Sequence, residues 1–290
     1  MTRRKIGVVT LFSLPAVLLY AWFFVSPIGE TLFYSLYDWD AISPRHWIGL
    51  GNYGELLTDR VFYKALGHTL YLTALLFAVQ IPLGFMLAYV LFQQVRGYKL
   101  LRAVYFMPVI TSSVAIALIF YFIYDPNFGM LNTILERVGL DRWGKVWLSD
   151  PSTAMTAVSL PLVWKYVGLM MIVIFAGLQS IPSETLEAAE LDGASGFQKM
   201  TKIVIPMISG VLQVCFVLAL TSAFKQFDFV LILTQGGPIH RTEVTGTYMY
   251  KMGFSDMRYG FGSAVAAAIM LITLLLMLVM RLVTGKGDKA

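Results

Sequence analysis

The sequence predicts an all-α membrane protein with six transmembrane helices, on the basis of its composition, its apolar runs and the placement of its basic residues. Of 290 residues, 58% are apolar and only 13% are charged, whereas a soluble domain carries about 25% charged residues. So few charges cannot cover a water-facing surface, and we therefore expect lipid to surround most of the chain. The net charge of +5 is interpreted by position, as a sign of membrane orientation rather than of nucleic-acid binding.

Six apolar runs are long enough to cross a membrane, which requires about 20 residues. Their expected bounds are Gly7–Tyr37, Leu70–Phe92, Leu101–Tyr124, Ala154–Leu178, Ile203–Lys225 and Tyr259–Val283. The first run is long for one crossing and contains Pro15 and Pro27, so we expect it to tilt or kink. Its length also argues against a cleaved signal peptide.

Basic residues cluster before the first run, between the second and third, after the fourth and after the sixth. They are Arg3, Arg4, Lys5, Arg96, Lys99, Arg102, Lys199, Lys202, Arg281, Lys286 and Lys289. With six crossings these segments share one side, which the positive-inside rule assigns to the cytoplasm. Both termini are therefore expected there, and the longer loops Trp39–Ala65 and Asp125–Thr153 outside. Without repeats or linkers, residues 1–290 are expected to form one domain.

The cytoplasmic connection at residues 181–206 predicts two short helices. Ser183 is a plausible N-cap for the first helix, and Gly193 supplies the left-handed residue that ends it. Ser195 and Gln198 have the spacing of a capping box, which starts the second helix. We therefore expect two helices that meet at a glycine hinge on the inner face of the membrane.

The first of these helices carries an unusual surface for a cytoplasmic connection. Ala188 and Ala189 form a small patch that another surface can approach closely, while Glu187, Glu190 and Asp192 add negative charge. An ordinary connector would explain two helices but not this combination, since cytoplasmic loops normally carry positive charge. We interpret the connection as a docking site for a partner protein.

The same connection resembles the EAA loop of ABC importer permeases. The pattern is Glu187-Ala188-Ala189, three residues, Gly193, nine residues, Ile203, one residue and Ile205-Pro206. Further motifs resemble the carbohydrate-uptake branch of that family, and together they cover nearly the whole chain in the right order. They are Asp192–Ser195 with Gln198, Trp47–Tyr53, Ala176–Pro182, Phe224–Asp228 and Leu233–Pro238.

This resemblance implies a type I ABC importer permease in the cytoplasmic membrane of a prokaryote. The implied partners are a second, homologous permease subunit, two ATPase subunits and an extracytoplasmic solute-binding protein. ATP and Mg would be bound by the ATPase subunits, and no cofactor or metal by this chain. The pair Gly285-Lys286 lacks the rest of a phosphate-binding loop. The implied ATPase-coupling residues are Glu187, Ala188, Ala189, Asp192, Gly193, Ile203 and Pro206.

Charged residues inside or at the end of the apolar runs mark a candidate solute path, because such charges are costly in lipid. Lys165 lies between two aromatic residues, and Lys225 and Asp228 are spaced to pair on one helix face. With the resemblance, the candidate residues are Trp164, Lys165, Tyr166, Thr221, Phe224, Lys225 and Asp228. The alternative is structural: an ion pair near the outer interface, a snorkelling lysine and aromatic side chains that only pack helices.

We therefore expect a permease subunit that translocates a sugar or sugar-like solute. A polyol or a glycerol phosphate is the alternative within the family. A stand-alone ion-coupled transporter is disfavoured, because such proteins use carboxylates or broken helices at the midplane, and Asp228 and Glu30 are almost the only acids in the runs or at their ends. The runs contain no metal-binding motif and no nucleophile–base pair that would indicate an enzyme.

Overall fold

A computed structural model describes residues 3–284 of the chain, and the side chains of residues 12–282. The described elements are almost all helical, with one two-stranded hairpin. In chain order they are α1 (Arg3–Tyr20), α2 (Ser26–Tyr34), β1 (Tyr37–Asp38), β2 (His46–Trp47), α3 (Gly51–Leu56), α4 (Arg60–Leu75), α5 (Ile81–Phe92), α6 (Tyr98–Ile110), α7 (Ser113–Ile123), α8 (Met130–Arg137), α9 (Ala154–Leu178), α10 (Ser183–Leu191), α11 (Gly196–Lys199), α12 (Ile205–Met207), α13 (Ser209–Phe224), α14 (Asp228–Leu233), α15 (Thr245–Tyr250) and α16 (Tyr259–Thr284).

The chain divides into two compact units. One comprises the residues up to Arg60 together with Met249–Leu271, and the other Val61–Tyr248 together with the residues from Ile272 onward. Whether the chain acts as one domain stays a prediction.

Five helical segments among the described residues are long and apolar enough to cross a membrane. They are Phe12–Tyr34, Arg60–Phe92, Ala154–Leu178, Ser209–Leu233 and Tyr259–Leu282. Five of the six predicted crossing runs are thus confirmed, although the second begins earlier than expected. The fifth runs later, because Ile208 leaves the helical conformation (φ −100°, ψ 14°) and separates α12 from α13. The side of the membrane on which the termini lie stays a prediction.

The third expected run is not a straight helix, which corrects the prediction for Leu101–Tyr124. Helices α6 and α7 meet at an angle of 94° and count as one crossing only if the bent pair is taken together. Thr111 and Ser112 have extended ψ values of 146° and 133°. Pro108 lies inside α6, one turn before this break.

Three prolines lie just after widened, π-helical turns. The turns are Ala21–Val25, Leu76–Gln80 and Met200–Val204, and the prolines are Pro27, Pro82 and Pro206. In a regular helix the proline ring collides with the carbonyl four residues earlier, and the missing N–H breaks one hydrogen bond. A π-helical turn distorts the helix locally, and here each such turn lies where the proline would otherwise clash. The chain therefore accommodates these prolines, including Pro27, where a kink is expected.

Helix α9 is the centre of the second unit, and residues on all its faces are buried. It packs mainly against α5 and α6, and glycines allow these helices to come close. A Cβ atom added at Gly84 of α5 would lie 2.7 Å from the Cβ of Met170, and one at Gly168 would lie 2.1 Å from the carbonyl oxygen of Tyr105. A helix that is apolar all round belongs in a protein core or a membrane.

In the first unit, the segment Trp47–Tyr53 has a structural role. The Asn52 amide donates hydrogen bonds of 2.8 Å and 2.9 Å to the carbonyl oxygens of Ser35 and Tyr37. This buried amide ties α3 to the end of α2 and to β1. In the hairpin, Tyr37 lies opposite Trp47 in the antiparallel register.

Candidate functional site

Residues 181–206 form two consecutive helical segments, as the sequence predicts. The first, α10, begins at Ser183, and Pro182 rather than Ser183 is its N-cap, so the predicted cap is wrong. Pro182 has an extended backbone (φ −60°, ψ 135°), and its side chain makes no cap hydrogen bond. Proline therefore defines the start of this helix through backbone geometry, without a side-chain hydrogen bond.

The C-terminus of α10 is closed by a complete Schellman motif. Gly193 has φ +76°, which confirms the left-handed residue expected there. Its N–H donates to the Glu190 carbonyl at 3.0 Å, and the Ala194 N–H donates to the Ala189 carbonyl at 3.0 Å. Both bonds satisfy carbonyls that the helix end would otherwise leave free, so the turn between the two helices has one defined shape.

The second segment starts at the predicted capping box. The Gln198 N–H donates to the Ser195 hydroxyl at 3.3 Å, and the Ser195 N–H donates to the Gln198 side-chain oxygen at 2.8 Å. Lys199 in the last turn of α11 forms an ion pair with Glu190 of α10. Backbone and side-chain contacts thus hold α10 and α11 together as one unit, and we name residues 181–206 the coupling segment.

Several side chains of the coupling segment are exposed and available to a partner. Glu187, Ala188 and Asp192 are exposed, whereas Ala189 is only 6% exposed. The prediction that Ala188 and Ala189 together form an exposed patch is therefore wrong for Ala189, which faces inward. Consecutive helical residues lie about 100° apart, so the two alanines point in different directions. Of the other two candidates, Ile203 is half-buried and Pro206 is exposed.

Two large apolar side chains of the coupling segment are exposed, and the sequence analysis does not identify them. Leu191 is 90% exposed and Phe197 is 71% exposed, one at the end of α10 and the other at the start of α11. Isolated exposed apolar residues are common, but these two flank the Gly193 turn of a segment that otherwise carries charge. The available signal was an apolar residue on each side of a predicted hinge.

A cavity of about 280 Å³ lies beside α9 in the second unit. Four of the predicted solute-path residues line it: Tyr166, Thr221, Lys225 and Asp228. The sequence did not identify four further polar residues in its wall, Gln80, Ser113, Ser222 and Gln226. We name this space the membrane cavity.

Lys165 is buried and does not line the membrane cavity. Its ammonium donates a 2.5 Å hydrogen bond to the carbonyl of Thr111 and lies 5.3 Å from the centre of the Tyr166 ring. Thr111 caps the C-terminus of α6, where the helix dipole favours a cation. Lys165 therefore stabilises the break between α6 and α7, and the snorkelling expected in the structural alternative is wrong.

Lys225 and Asp228 both line the membrane cavity and are both exposed, but the described ion pairs do not include these two residues. Helix α13 ends at Phe224, and Phe227 takes a non-helical backbone (φ −145°, ψ −55°) before α14 starts at Asp228. The predicted pairing assumed a continuous helix, and this break removes the common face.

The remaining two candidates lie outside the cavity wall. Phe224 is buried, and Phe227, three residues later, lines the cavity instead. Trp164 is half-exposed, with its ring 5.9 Å from that of Phe120. The sequence does not show which way aromatic residues at helical spacing point, because the rotation of the helix about its axis decides whether a ring faces a cavity or a neighbouring helix.

The family of the chain follows from its sequence matches. Residues 80–286 match the family of binding-protein-dependent transport system inner membrane components. This range contains the coupling segment and the residues of the membrane cavity. The chain belongs to this family. It is a permease subunit of an ABC transporter, an inner membrane component rather than an enzyme with its own ATP site.

Two relatives resemble this permease over most of their length. The probable ABC transporter permease protein YurN of Bacillus subtilis is 41% identical, over 92% of each chain. The multiple sugar-binding transport system permease protein MsmF of Streptococcus mutans is 32% identical, over 90% of this chain and 89% of its own.

A solved structure has the same fold. It is a bacterial ABC transporter involved in the import of the acidic polysaccharide alginate, with a TM-score of 0.84 at 23% identity. The match covers 98% of this permease and 96% of that chain. The architecture expected for an ABC importer permease is therefore confirmed.

Proposed function

We propose that this permease translocates a sugar or sugar-like solute, and that the membrane cavity forms one wall of its path. The observation that carries the proposal is the composition of this wall. Hydroxyl, amide, ammonium and carboxylate groups stand beside the rings of Tyr166 and Phe227. Sugars present many hydroxyl groups and flat apolar ring faces, so a wall of hydrogen-bonding groups and aromatic rings suits them.

The size of the membrane cavity supports a small solute. Its volume of about 280 Å³ is close to the lower end of the roughly 300–1,000 Å³ typical of small-molecule pockets. MsmF, whose name refers to multiple sugars, is 32% identical to this permease, and this likeness favours a saccharide over other small solutes.

The proposed driving force is ATP hydrolysis by partner subunits that dock on the coupling segment. Glu187, Ala188 and Asp192 provide the exposed docking surface, Gly193 provides the turn, and Ile203 and Pro206 belong to the second arm. Leu191 and Phe197 would add apolar contact area beside the charged residues. Because α10 and α11 are tied by the Glu190–Lys199 ion pair and the Schellman turn, a force applied here would move them together.

The proposed complex contains a second, homologous permease subunit, two ATPase subunits and an extracytoplasmic solute-binding protein. ATP and Mg would be bound by the ATPase subunits. A solved relative of the same fold has been captured with a periplasmic protein that carries an alginate pentasaccharide, which supports a binding protein as a partner.

A polyol or a glycerol phosphate is the second candidate solute. The exposed ammonium of Lys225 in the cavity wall would favour an anionic group, whereas the carboxylate of Asp228 in the same wall opposes one. Opposite charges in one wall favour a neutral, hydroxyl-rich solute, and we therefore place a saccharide first.

The test is uptake by proteoliposomes that contain the complete transporter with its cognate binding protein. Labelled maltose, trehalose, glycerol and glycerol 3-phosphate are the probes. We expect ATP-dependent accumulation of at least one saccharide. Asp228→Asn, which keeps the side-chain shape, is expected to change its apparent affinity, whereas Asp141→Asn, at an exposed position outside the cavity wall, is not. Accumulation of glycerol 3-phosphate alone, or equal behaviour of both variants, would contradict the proposal.

A further inference from the structure

A second cavity in the same unit lies beside the C-terminal end of α7. Its volume is about 410 Å³, larger than that of the membrane cavity. Its walls come from the end of α7, the loop at residues 146–149, and the end of α14 with the chain that follows it, at residues 232–238. The distribution of basic residues assigns these loops to the outside of the membrane. We name it the outer cavity.

Tyr124 lines the outer cavity and has an unusual hydroxyl group. The residue is only 2% exposed, and its hydroxyl is buried without a hydrogen-bond partner among the described residues. Leaving a buried polar group unpaired costs roughly 1–3 kcal/mol, and native proteins tolerate few of them. This cost points to a hydrogen-bond partner for the Tyr124 hydroxyl that comes from outside the chain.

The wall contains further polar groups. Ser149 and Gln235 line the cavity and are exposed, so their side chains are open to a ligand. The half-exposed ring of Tyr121 supplies an aromatic face. Asp125 is the charged residue of the wall, and the wall contains no lysine or arginine.

From these observations we propose that the outer cavity is a second binding site, for a neutral, hydroxyl-rich ring such as a saccharide unit. The Tyr124 hydroxyl would hydrogen-bond to a hydroxyl of the ring, Gln235 and Ser149 would bind further hydroxyls, and Tyr121 would pack against its apolar face. The carboxylate of Asp125 disfavours an anionic solute. The site would receive the solute before it reaches the membrane cavity.

This inference rests on the proposed function and adds a second site and a preference for neutral rings. Ring hydroxyls are both donors and acceptors, so one ligand group can satisfy a phenol that the protein leaves unpaired. A structural explanation of Tyr124 is a trapped water molecule, which would also satisfy its hydroxyl. The two explanations differ in how Tyr124→Phe affects solute binding.

The experiment is saturation-transfer difference NMR on the assembled transporter in nanodiscs, without the binding protein. Trehalose and maltose are the neutral probes, and glucuronate is the anionic one. Tyr124→Phe removes a single oxygen atom. If one neutral hydrogen bond is lost, the affinity for the neutral probes should fall about threefold to tenfold, and Gln235→Ala should weaken it similarly. Glucuronate should bind more weakly than either disaccharide.

The matched control is Tyr89→Phe, because Tyr89 is partly buried on α5 and stacks on Phe85 away from this cavity. It should bind the disaccharides as the unsubstituted protein does. Thermal stability provides an independent check that folding is intact, since Tyr124→Phe removes an unpaired buried group and should leave the melting temperature unchanged or higher.

Equal disaccharide binding by Tyr124→Phe and the unsubstituted protein would overturn the inference, as would a complete lack of saccharide binding. An effect of Tyr124→Phe restricted to ATPase stimulation by the binding protein would also overturn it and would mark a protein-docking surface. ATP-dependent saccharide uptake, measured separately, reports on the proposed function. If uptake continues while these binding results fail, the outer site alone is refuted.

Discussion

The close approach of α6 and α9 depends on the absence of a side chain at Gly168. A Cβ atom at this position would lie 2.1 Å from the carbonyl oxygen of Tyr105 and 2.9 Å from its carbonyl carbon. Both atoms belong to the backbone, so no flexible side chain can move aside. Gly168→Ala therefore requires the two helices to separate near the break that Lys165 stabilises.

The size of the effect follows from this distance. A carbon–oxygen contact is normally at least about 3.3 Å long, so the helices must move apart by roughly 1.2 Å at this point. Overpacking of this kind costs about 1–3 kcal/mol, and a backbone contact belongs at the upper end. The better helix propensity of alanine returns roughly 0.5–1 kcal/mol. The net destabilisation is about 2 kcal/mol, which lowers a melting temperature by about 4–8 °C.

Cys215 makes this change measurable with a thiol-reactive fluorogenic dye. It is the only cysteine and is fully buried, so the dye reacts as the protein unfolds. The control is Gly67→Ala in α4, where an added Cβ meets nothing within 4 Å and should stabilise the helix by about 0.5–1 kcal/mol. A melting temperature of Gly168→Ala equal to or above that of Gly67→Ala would refute the proposed α6–α9 contact.

Two further predictions concern the break between α6 and α7 and the topology. Lys165→Met removes a hydrogen bond from a charged donor to Thr111, worth roughly 1.5–3 kcal/mol, so the dye assay should show a lower melting temperature that Lys165→Arg partly restores; equal values for all three proteins would contradict this role. In a Cys215→Ser background, Ser195→Cys should resist an impermeant thiol reagent added to intact cells, because residue 195 is expected in the cytoplasm, and rapid labelling from outside would refute the orientation.

Local features of the coupling segment were predictable because their causes are local. A capping box needs only Ser195 and Gln198 at the right spacing, and the end of a short helix needs a residue such as Gly193 that tolerates positive φ. Ser183 was mispredicted as the N-cap because Pro182 starts the helix through its own backbone geometry.

The helix breaks were not predicted, because summed hydropathy depends on the apolar content of a run and not on its backbone path. Both α6 and α7 are apolar, so their run reads as one crossing. Thr111, Ser112 and Ser113 in the middle of the run were the available signal, since such residues favour helix ends over helix interiors. The break after Phe224 likewise invalidated the expected pairing of Lys225 with Asp228.

Partners distant in the chain were beyond sequence reasoning. The hydrogen bond of Lys165 to the carbonyl of Thr111 joins positions 54 residues apart, and nothing near Lys165 indicates it. The same holds for Gln80, which enters the wall of the membrane cavity from the turn between α4 and α5. Only the packing of helices against one another decides which of their polar residues meet.

The proposed mechanism requires that the coupling segment transmits the effect of ATP hydrolysis to the solute path. The most direct test compares solute uptake with ATP hydrolysis in the same proteoliposomes for Glu187→Lys and Glu136→Lys. Both glutamates are exposed on short helices, and only Glu187 belongs to the coupling segment. We predict that Glu187→Lys loses uptake and solute-stimulated hydrolysis at normal abundance, whereas Glu136→Lys keeps both. Normal, ATP-dependent uptake by Glu187→Lys, or uptake driven by an ion gradient without ATP, would contradict the mechanism.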